Sequence, residues 1–165
     1  MRYILKQSLL ARASDFSIKD ETGQDAFVVH GRASLTGRRL SLKDTTGAEV
    51  AAVRQRLVAL RPRYEIVRGG AVAAVVKAVP FTSGRRFTVD APGQAGFRVT
   101  GNFFANDYLL TRGDRRVARV SKELFTMSDT YTVDVADGED PVLVLATAVV
   151  IDLVGHQPGS GAKAR

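Results

Sequence analysis

The segment from Pro141 to Val154, PVLVLATAVVIDLV, is the longest apolar run in the chain and has no polar face at a helical or a strand period. Nine of its residues are Val, Leu or Ile, a composition that favours a strand. Its length exceeds that of a usual strand. Asp140, Pro141 and Gly155 fit the N-cap, the first position and the C′ position of a helix. The segment is therefore predicted to be a helix that is apolar all round.

Such a helix must be enclosed by protein or by lipid. At about 1.5 Å per residue it is roughly 21 Å long, which is shorter than a hydrocarbon core of about 30 Å. Asp152 also interrupts the apolar run near its end. We therefore expect the helix to be enclosed by protein.

The chain before the helix consists of short runs of alternating apolar and polar residues, separated by turns that contain glycine. This is the pattern of β-hairpins, and FSIKDETGQDAFVVHG (Phe16 to Gly31) and LSLKDTTGAEVAAV (Leu40 to Val53) are two examples. The near-constant spacing of the turns indicates serial repetition of one hairpin-sized unit. The predicted turn glycines are Gly23, Gly47, Gly70, Gly93, Gly113 and Gly138.

Returning strands, such as Leu57 to Leu60, and the runs Tyr3 to Leu9 and Asp129 to Val135 bring the total to about a dozen strands. Closure of an antiparallel sheet removes its exposed edges. A barrel of about twelve strands is too wide for its own side chains to fill, so the apolar helix must occupy the lumen. The predicted fold is all-β: a closed antiparallel β-barrel of about twelve strands around a central hydrophobic C-terminal helix.

Four segments also carry a likeness to a known family: FSIKDETGQDAFVVHG, LSLKDTTGAEV, GNFFANDYLL and VARVSKELFTMSDTYTVDVADGEDPVLVLATAVVID. In this order they resemble the LURP-one-related family, a relative of the Tubby C-terminal domain and the phospholipid scramblases. The resemblance spans about Arg2 to Gly155. It implies one Tubby C-terminal-like domain over residues 1–155, with twelve strands around a central helix.

For function the resemblance implies less. Tubby domains bind phosphoinositide head groups through basic surface residues, whereas the biochemistry of LURP-one-related proteins is mostly undefined. The lipid-binding motif of the Tubby domains cannot be placed on this chain, so no residue is carried over. Scramblases depend on lipid-modified cysteines for membrane attachment, and this chain has no Cys.

The charge of the chain points to a polyanionic partner. The formal net charge is +7, and the basic residues are 18 Arg and 6 Lys, which favours an anionic membrane or nucleic acid as the partner. These residues are scattered through every segment, and a solvated barrel exterior would look the same. The residues predicted to form an anion- or phosphate-binding site are Arg54, Arg56, Arg61, Arg63, Arg85, Arg86, Arg115, Arg116 and Arg119. Arg54 with Arg56, and Arg61 with Arg63, share one side of a strand and form a strip suited to phosphate.

Catalytic chemistry is not predicted. The chain has no Cys and two His residues, of which His30 closes a strand and is interpreted as structural, and His156 as solvated. Neither a nucleophilic triad, nor metal-ligand spacing, nor a phosphate-binding loop can be assembled. We therefore expect a protein that is not an enzyme and has no cofactor or metal.

Asp152 is the most unusual polar residue, because it lies near the C-terminal end of the apolar helix, where the helix dipole disfavours an anion. A buried carboxylate needs partners. The structural interpretation is a buried polar residue that ties the helix to the barrel wall. The functional interpretation is a group that lines a pocket at the barrel mouth.

The leading expectation is thus a binding or scaffold domain that engages anionic phospholipid or phosphoinositide head groups through basic surface residues. A protein-interaction module is the alternative, and nucleic-acid binding ranks third because few aromatic residues (Tyr64, Phe103 and Phe104) accompany the basic ones. Lys6 and Gln7 break the apolar N-terminal run, so no signal peptide is predicted. The expected location is cytoplasmic, or peripheral at a membrane, and residues 156–165 are predicted to be a disordered tail.

Overall fold

The computed structural model describes residues 1–6, 15–34, 37–56, 63–79, 86–103, 105–122 and 130–155. These residues form twelve β-strands and one α-helix. The strands are β1 (Arg2–Lys6), β2 (Phe16–Asp20), β3 (Asp25–Ser34), β4 (Gly37–Asp44), β5 (Glu49–Arg56), β6 (Arg63–Arg68), β7 (Ala71–Val79), β8 (Arg86–Asp90), β9 (Phe97–Asn102), β10 (Asp107–Arg112), β11 (Arg115–Lys122) and β12 (Thr130–Val135). The helix, α1, spans Pro141–Gly155.

Each strand pairs antiparallel with the next one along the chain, and β1 also pairs with β12, so the sheet closes into a barrel. This confirms the predicted closed antiparallel barrel. The first and last strands are seen at Arg2–Lys6 and Thr130–Val135. Several predicted segments lie outside the described residues. They are the strand Leu57 to Leu60, residues 7–9 of the predicted first strand, residue 129 of the predicted last strand, and the predicted tail.

The helix lies inside the barrel. Residues 142–153 are all buried, and the helix contacts β5, β6, β7, β11 and β12. Alternate residues of every strand point inward and form one apolar core with it. The side chain of Asp140 caps the helix by accepting hydrogen bonds from the backbone N–H groups of Val142 (3.0 Å) and Leu143 (3.2 Å). Gly155 is the last helical residue rather than the one that follows the helix. Within the described ranges, no helix is both long and apolar enough to cross a membrane.

The predicted turns lie where the sequence places them. In two of them an aspartate organises the turn in the same way, because Asp20 accepts hydrogen bonds from Thr22 and Gln24, and Asp44 from Thr46 and Ala48. The turns need a residue with positive φ, which glycine adopts without steric cost. The six predicted turn glycines all have positive φ: Gly23, Gly47, Gly70, Gly93, Gly113 and Gly138.

Candidate functional site

Strand register aligns one outward-facing residue from each of β5 to β11 across the barrel wall. Five of these seven residues are basic. With about 4.8 Å between neighbouring strands, the alignment is roughly 29 Å long. In order, its members are Arg56, Arg63, Lys77, Thr88, Arg98, Thr111 and Arg116. We call these seven residues the basic row.

The alternation of the strands explains why the row faces outward. Phe87 and Val89 of β8 are buried, as are Phe97 and Val99 of β9, so the residues between them must face solvent. A β-bulge in β10 shifts the register between β10 and β11, and this shift places Thr111 opposite Arg116. The row therefore depends on both the side-chain alternation and the register of the sheet.

The charges along the row differ in how far they are neutralised. Arg56 donates a hydrogen bond of 3.0 Å to Glu65, and Lys77 one of 2.8 Å to Asp90. Arg63, Arg98 and Arg116 are exposed, and no carboxylate in the described part of the chain forms an ion pair with them. These three guanidinium groups are available to an external anion.

The centre of the row borders a shallow cavity of about 200 Å³. Thr88, Arg98 and Thr111 line it, so a guanidinium group stands between two hydroxyl groups on three neighbouring strands. Guanidinium and hydroxyl groups both donate hydrogen bonds, and a guanidinium group matches the geometry of a phosphate. Asp90 also lines the cavity, where its carboxylate binds Lys77, so the three donors Thr88, Arg98 and Thr111 form the side of the cavity that is suited to a phosphate group.

Arg54 and Arg56 share one side of β5, as predicted, and both bind Glu65 on β6. Arg54 donates hydrogen bonds of 3.0 and 2.5 Å to one carboxylate oxygen, and Arg56 binds the other. Burial of the carboxylate raises its pKa, but the hydrogen bonds from the two arginines outweigh that effect, and the pKa of Glu65 lies below its ordinary value. Glu65 therefore takes the place that the sequence analysis assigned to a bound phosphate at this pair of arginines.

The other predicted site residues lie in different places. Arg86 is exposed and lies opposite Thr100, in the adjacent line of outward-facing residues. Arg115 binds Glu139 at 2.6 Å, and Arg119 contacts Asp107 at 3.4 Å. Arg61 and Arg85 lie outside the described residues. Of the predicted set, Arg56, Arg63 and Arg116 therefore share the basic row.

Comparison with known proteins places this barrel in a family. A family model described as LURP-one-related matches residues 1–152. The chain belongs to the LURP-one-related family. This confirms the resemblance found in the sequence.

One curated relative supports the family, and one solved structure supports the fold. Uncharacterized protein YxjI of Bacillus subtilis (strain 168) is 32% identical over 151 residues, which cover 91% of this chain and 91% of that protein. The X-ray structure of a protein from Arabidopsis thaliana is similar, with a TM-score of 0.66 and 18% identity over 93% of this chain and 91% of that chain. The solved structure supports the architecture of this LURP-one-related chain, and neither comparison assigns a specific activity.

Two basic members of the row, Lys77 and Arg98, were not among the predicted site residues of this LURP-one-related barrel. Lys77 follows the buried Val76 and lies two residues after Val75, which is also not fully buried, and Arg98 stands between the buried Phe97 and Val99. That alternation marks both residues as outward-facing. Their alignment with Arg63 and Arg116 depends on the register of seven strands, which the sequence of one strand does not encode.

A second group of arginines holds the N-terminal end of the central helix. Arg112 donates hydrogen bonds of 3.0 and 2.9 Å to the two carboxylate oxygens of Glu139, which also binds Arg115. Arg68 forms an ion pair with Asp140, the cap residue. The acidic turn before the helix is thus fastened to β6, β10 and β11, so these arginines have a structural role.

Asp152 is buried inside the barrel, with 3% of its surface exposed. Burial raises the pKa of the phenol groups of Tyr108 and Tyr131, and the nearby charge of Asp152 raises both further. The carboxylate therefore lies close to two aromatic residues of the barrel wall. Its role in fastening the helix stays a prediction.

Metal binding and base stacking were also considered on the described residues. Within the described ranges, no group of three or more His, Asp or Glu residues is placed to hold a metal ion. Two of the aromatic residues considered for base stacking, Tyr64 and Phe103, are buried in the core, and Phe104 lies outside the described residues. The basic row therefore carries no exposed ring from this set.

Proposed function

We propose that this LURP-one-related chain is a non-enzymatic binding domain that attaches peripherally to membranes by binding anionic phospholipid head groups through the basic row. The observation that carries the proposal is the set of three exposed arginines, Arg63, Arg98 and Arg116, in one aligned row without carboxylate partners among the described residues.

The chemistry of the row fits a membrane surface better than a folded nucleic acid. Its donors are guanidinium, ammonium and hydroxyl groups, which bind phosphate oxygens, and its seven members include no aromatic ring on which bases could stack. Leu109, in the adjacent line of outward-facing residues, is 38% exposed and offers an apolar contact beside the charges. Each basic residue near an anionic bilayer contributes about 1 kcal/mol to membrane binding.

Co-sedimentation with vesicles tests the proposal. The chain is expected to sediment with phosphatidylcholine vesicles that contain phosphatidylserine and not with phosphatidylcholine alone. Binding is expected to weaken as salt is raised from about 50 mM, because salt screens the exposed charges. Substitution of Arg63, Arg98 and Arg116 by Gln is expected to remove between about 1 and 3 kcal/mol of binding free energy, a loss of affinity of roughly 5- to 150-fold, because Arg98 in the middle of the row lies nearest the bilayer and the other two lie to its sides.

A control variant separates the row from net charge. Replacement of Lys19, Arg38 and Lys122 by Gln also removes three positive charges, and none of these residues belongs to the row. This variant is expected to retain most of its binding. Equal losses in the two variants, or no sedimentation of the unaltered chain with anionic vesicles, would contradict the proposal.

A further inference from the structure

A second cavity, of about 420 Å³, lies on the outer wall where β3 and β4 meet. In a closed barrel of twelve strands, β3 is six strands from β9 in either direction, so the β3 side of this cavity lies opposite Arg98. Glu49 brings its other side to β5, the strand that carries Arg56 at one end of the basic row. Its basic members are His30, Arg32, Arg39 and Lys43, and its acidic members are Asp15 and Glu49. We call it the β3–β4 pocket.

Three arginines stand side by side on β3, β4 and β5, and two of them, Arg32 and Arg39, line this pocket. Arg32 of β3 lies directly opposite Arg39 of β4, which lies opposite Arg54 of β5. Like charges directly opposite each other on neighbouring strands destabilise a sheet. Glu49 binds Arg39 at 3.2 Å, and Glu65 binds Arg54, whereas no carboxylate among the described residues pairs with Arg32. An anion between Arg32 and Arg39 would complete the charge balance.

The middle of the pocket is polar and partly organised. His30 and Ser41 face each other across the two strands. Nδ1 of His30 lies 2.7 Å from a carboxylate oxygen of Asp15, which leaves Nε2 available to a ligand. The Ser41 hydroxyl donates a hydrogen bond of 2.6 Å to Glu49. Carboxylates at two edges of the pocket accept hydrogen bonds and therefore suit a ligand that carries hydroxyl groups.

We propose that the β3–β4 pocket binds a small, water-soluble phosphate monoester of a polyhydroxy compound. Arg32 and Arg39 bind the phosphate, for which guanidinium groups provide paired donors, and Lys43 adds a third positive charge. Asp15 and Glu49 accept hydrogen bonds from the hydroxyl groups of the ligand. The cavity volume lies within the range of small-molecule sites, about 300–1,000 Å³.

Proton NMR of the histidine side chains tests this proposal on the full chain, with glycerol 3-phosphate as the probe. The chain has two histidines, so His156→Gln assigns the His30 imidazole resonance. We expect the His30 resonance to shift and to reach saturation as the concentration of glycerol 3-phosphate is raised to about 10 mM, and the His156 resonance to stay unchanged. Inorganic phosphate, which lacks the hydroxyl groups, is expected to bind more weakly.

Arg32→Gln is the deciding variant, because Arg32 is exposed and its loss breaks no ion pair with a described residue. It is expected to weaken probe binding by about tenfold or more. Arg98→Gln, on the opposite wall, is the matched control and should bind the probe normally. No saturable shift of His30, or equal binding by Arg32→Gln and the unaltered chain, would overturn the proposal.

The pocket and the proposed membrane surface are tested separately. Arg32→Gln is expected to sediment with anionic vesicles as the unaltered chain does, because its charge lies on the other wall. A loss of vesicle binding in Arg32→Gln would overturn the assignment to a free ligand and indicate a lipid head group instead. Loss of vesicle binding in the variant of the basic row, with normal probe binding, would support both assignments.

Discussion

At the scale of single residues, the presence of a nearby carboxylate separates structural arginines from available ones. Arg54 and Arg56 have the outward orientation that the sequence predicts, yet Glu65 occupies both. Arg63 lies directly opposite Arg56 and has no such partner among the described residues. The same residue type therefore stabilises the barrel at one position and is free to bind an anion at the next.

The low pKa of Glu65 leads to a pH-dependent prediction. Because its folded-state pKa lies below the unfolded value of about 4.3, its ionised form stabilises the fold above that pH, and the contribution is lost as pH falls through the folded-state pKa. Glu65→Gln is expected to lower the free energy of unfolding at pH 7 by roughly 1–3 kcal/mol.

Urea denaturation of both proteins between pH 7 and pH 3 measures this difference, which should shrink in the acidic range. Glu49→Gln is the matched control, because its ion pair with Arg39 is exposed and is expected to contribute less than about 1 kcal/mol. A difference between Glu65→Gln and the unaltered chain that stays constant down to pH 3 would contradict the assignment.

At the scale of elements, the sequence predicts the closed barrel and its internal helix because each rests on a local signal. The apolar run that begins at Pro141 has a cap residue at its start, and each predicted turn contains a glycine that has positive φ in the structure. The basic row has no such signal. It depends on register, and the bulge between Leu110 and Thr111 that completes it is defined by the pairing of β10 with β11.

The carboxylate partners of the arginines were beyond prediction for a related reason. Arg68 and Asp140 form an ion pair although they are 72 residues apart in the chain. Arg112 and Glu139 likewise meet only because the acidic turn crosses one end of the barrel. The sequence therefore shows how many arginines the chain has, but not which of them the fold pairs with a carboxylate.

The internal helix is expected to be essential for folding. A chain that ends at Asp140 loses the buried residues of α1, each large aliphatic one contributing about 1.5–3 kcal/mol by burial, and leaves the lumen empty. A chain that ends at Gly155 keeps the whole helix and serves as the control. Thermal unfolding followed by circular dichroism should show a cooperative transition for the longer chain and none for the shorter one. A cooperative transition of the shorter chain would contradict the role of the helix.

At the scale of the whole molecule, closure of the sheet gives the barrel two opposite walls with different chemistry. The basic row crosses β5 to β11, and the β3–β4 pocket lies on the wall that faces away from β9. A planar bilayer can contact only a few neighbouring strands of a cylinder. We therefore expect the middle of the row, around Arg98, to face the membrane, while the pocket stays open to water.

Site-specific fluorescence tests this orientation most directly. The chain has no cysteine, so a single Cys at position 109 or 28 can carry an environment-sensitive dye. Leu109 lies beside the basic row on β10, and Val28 faces outward on β3, on the opposite wall. With vesicles that contain phosphatidylserine, the dye at position 109 is expected to shift its emission to the blue, and the dye at position 28 to stay unchanged. Equal shifts at both positions, or a shift at position 28 alone, would contradict the proposed membrane surface.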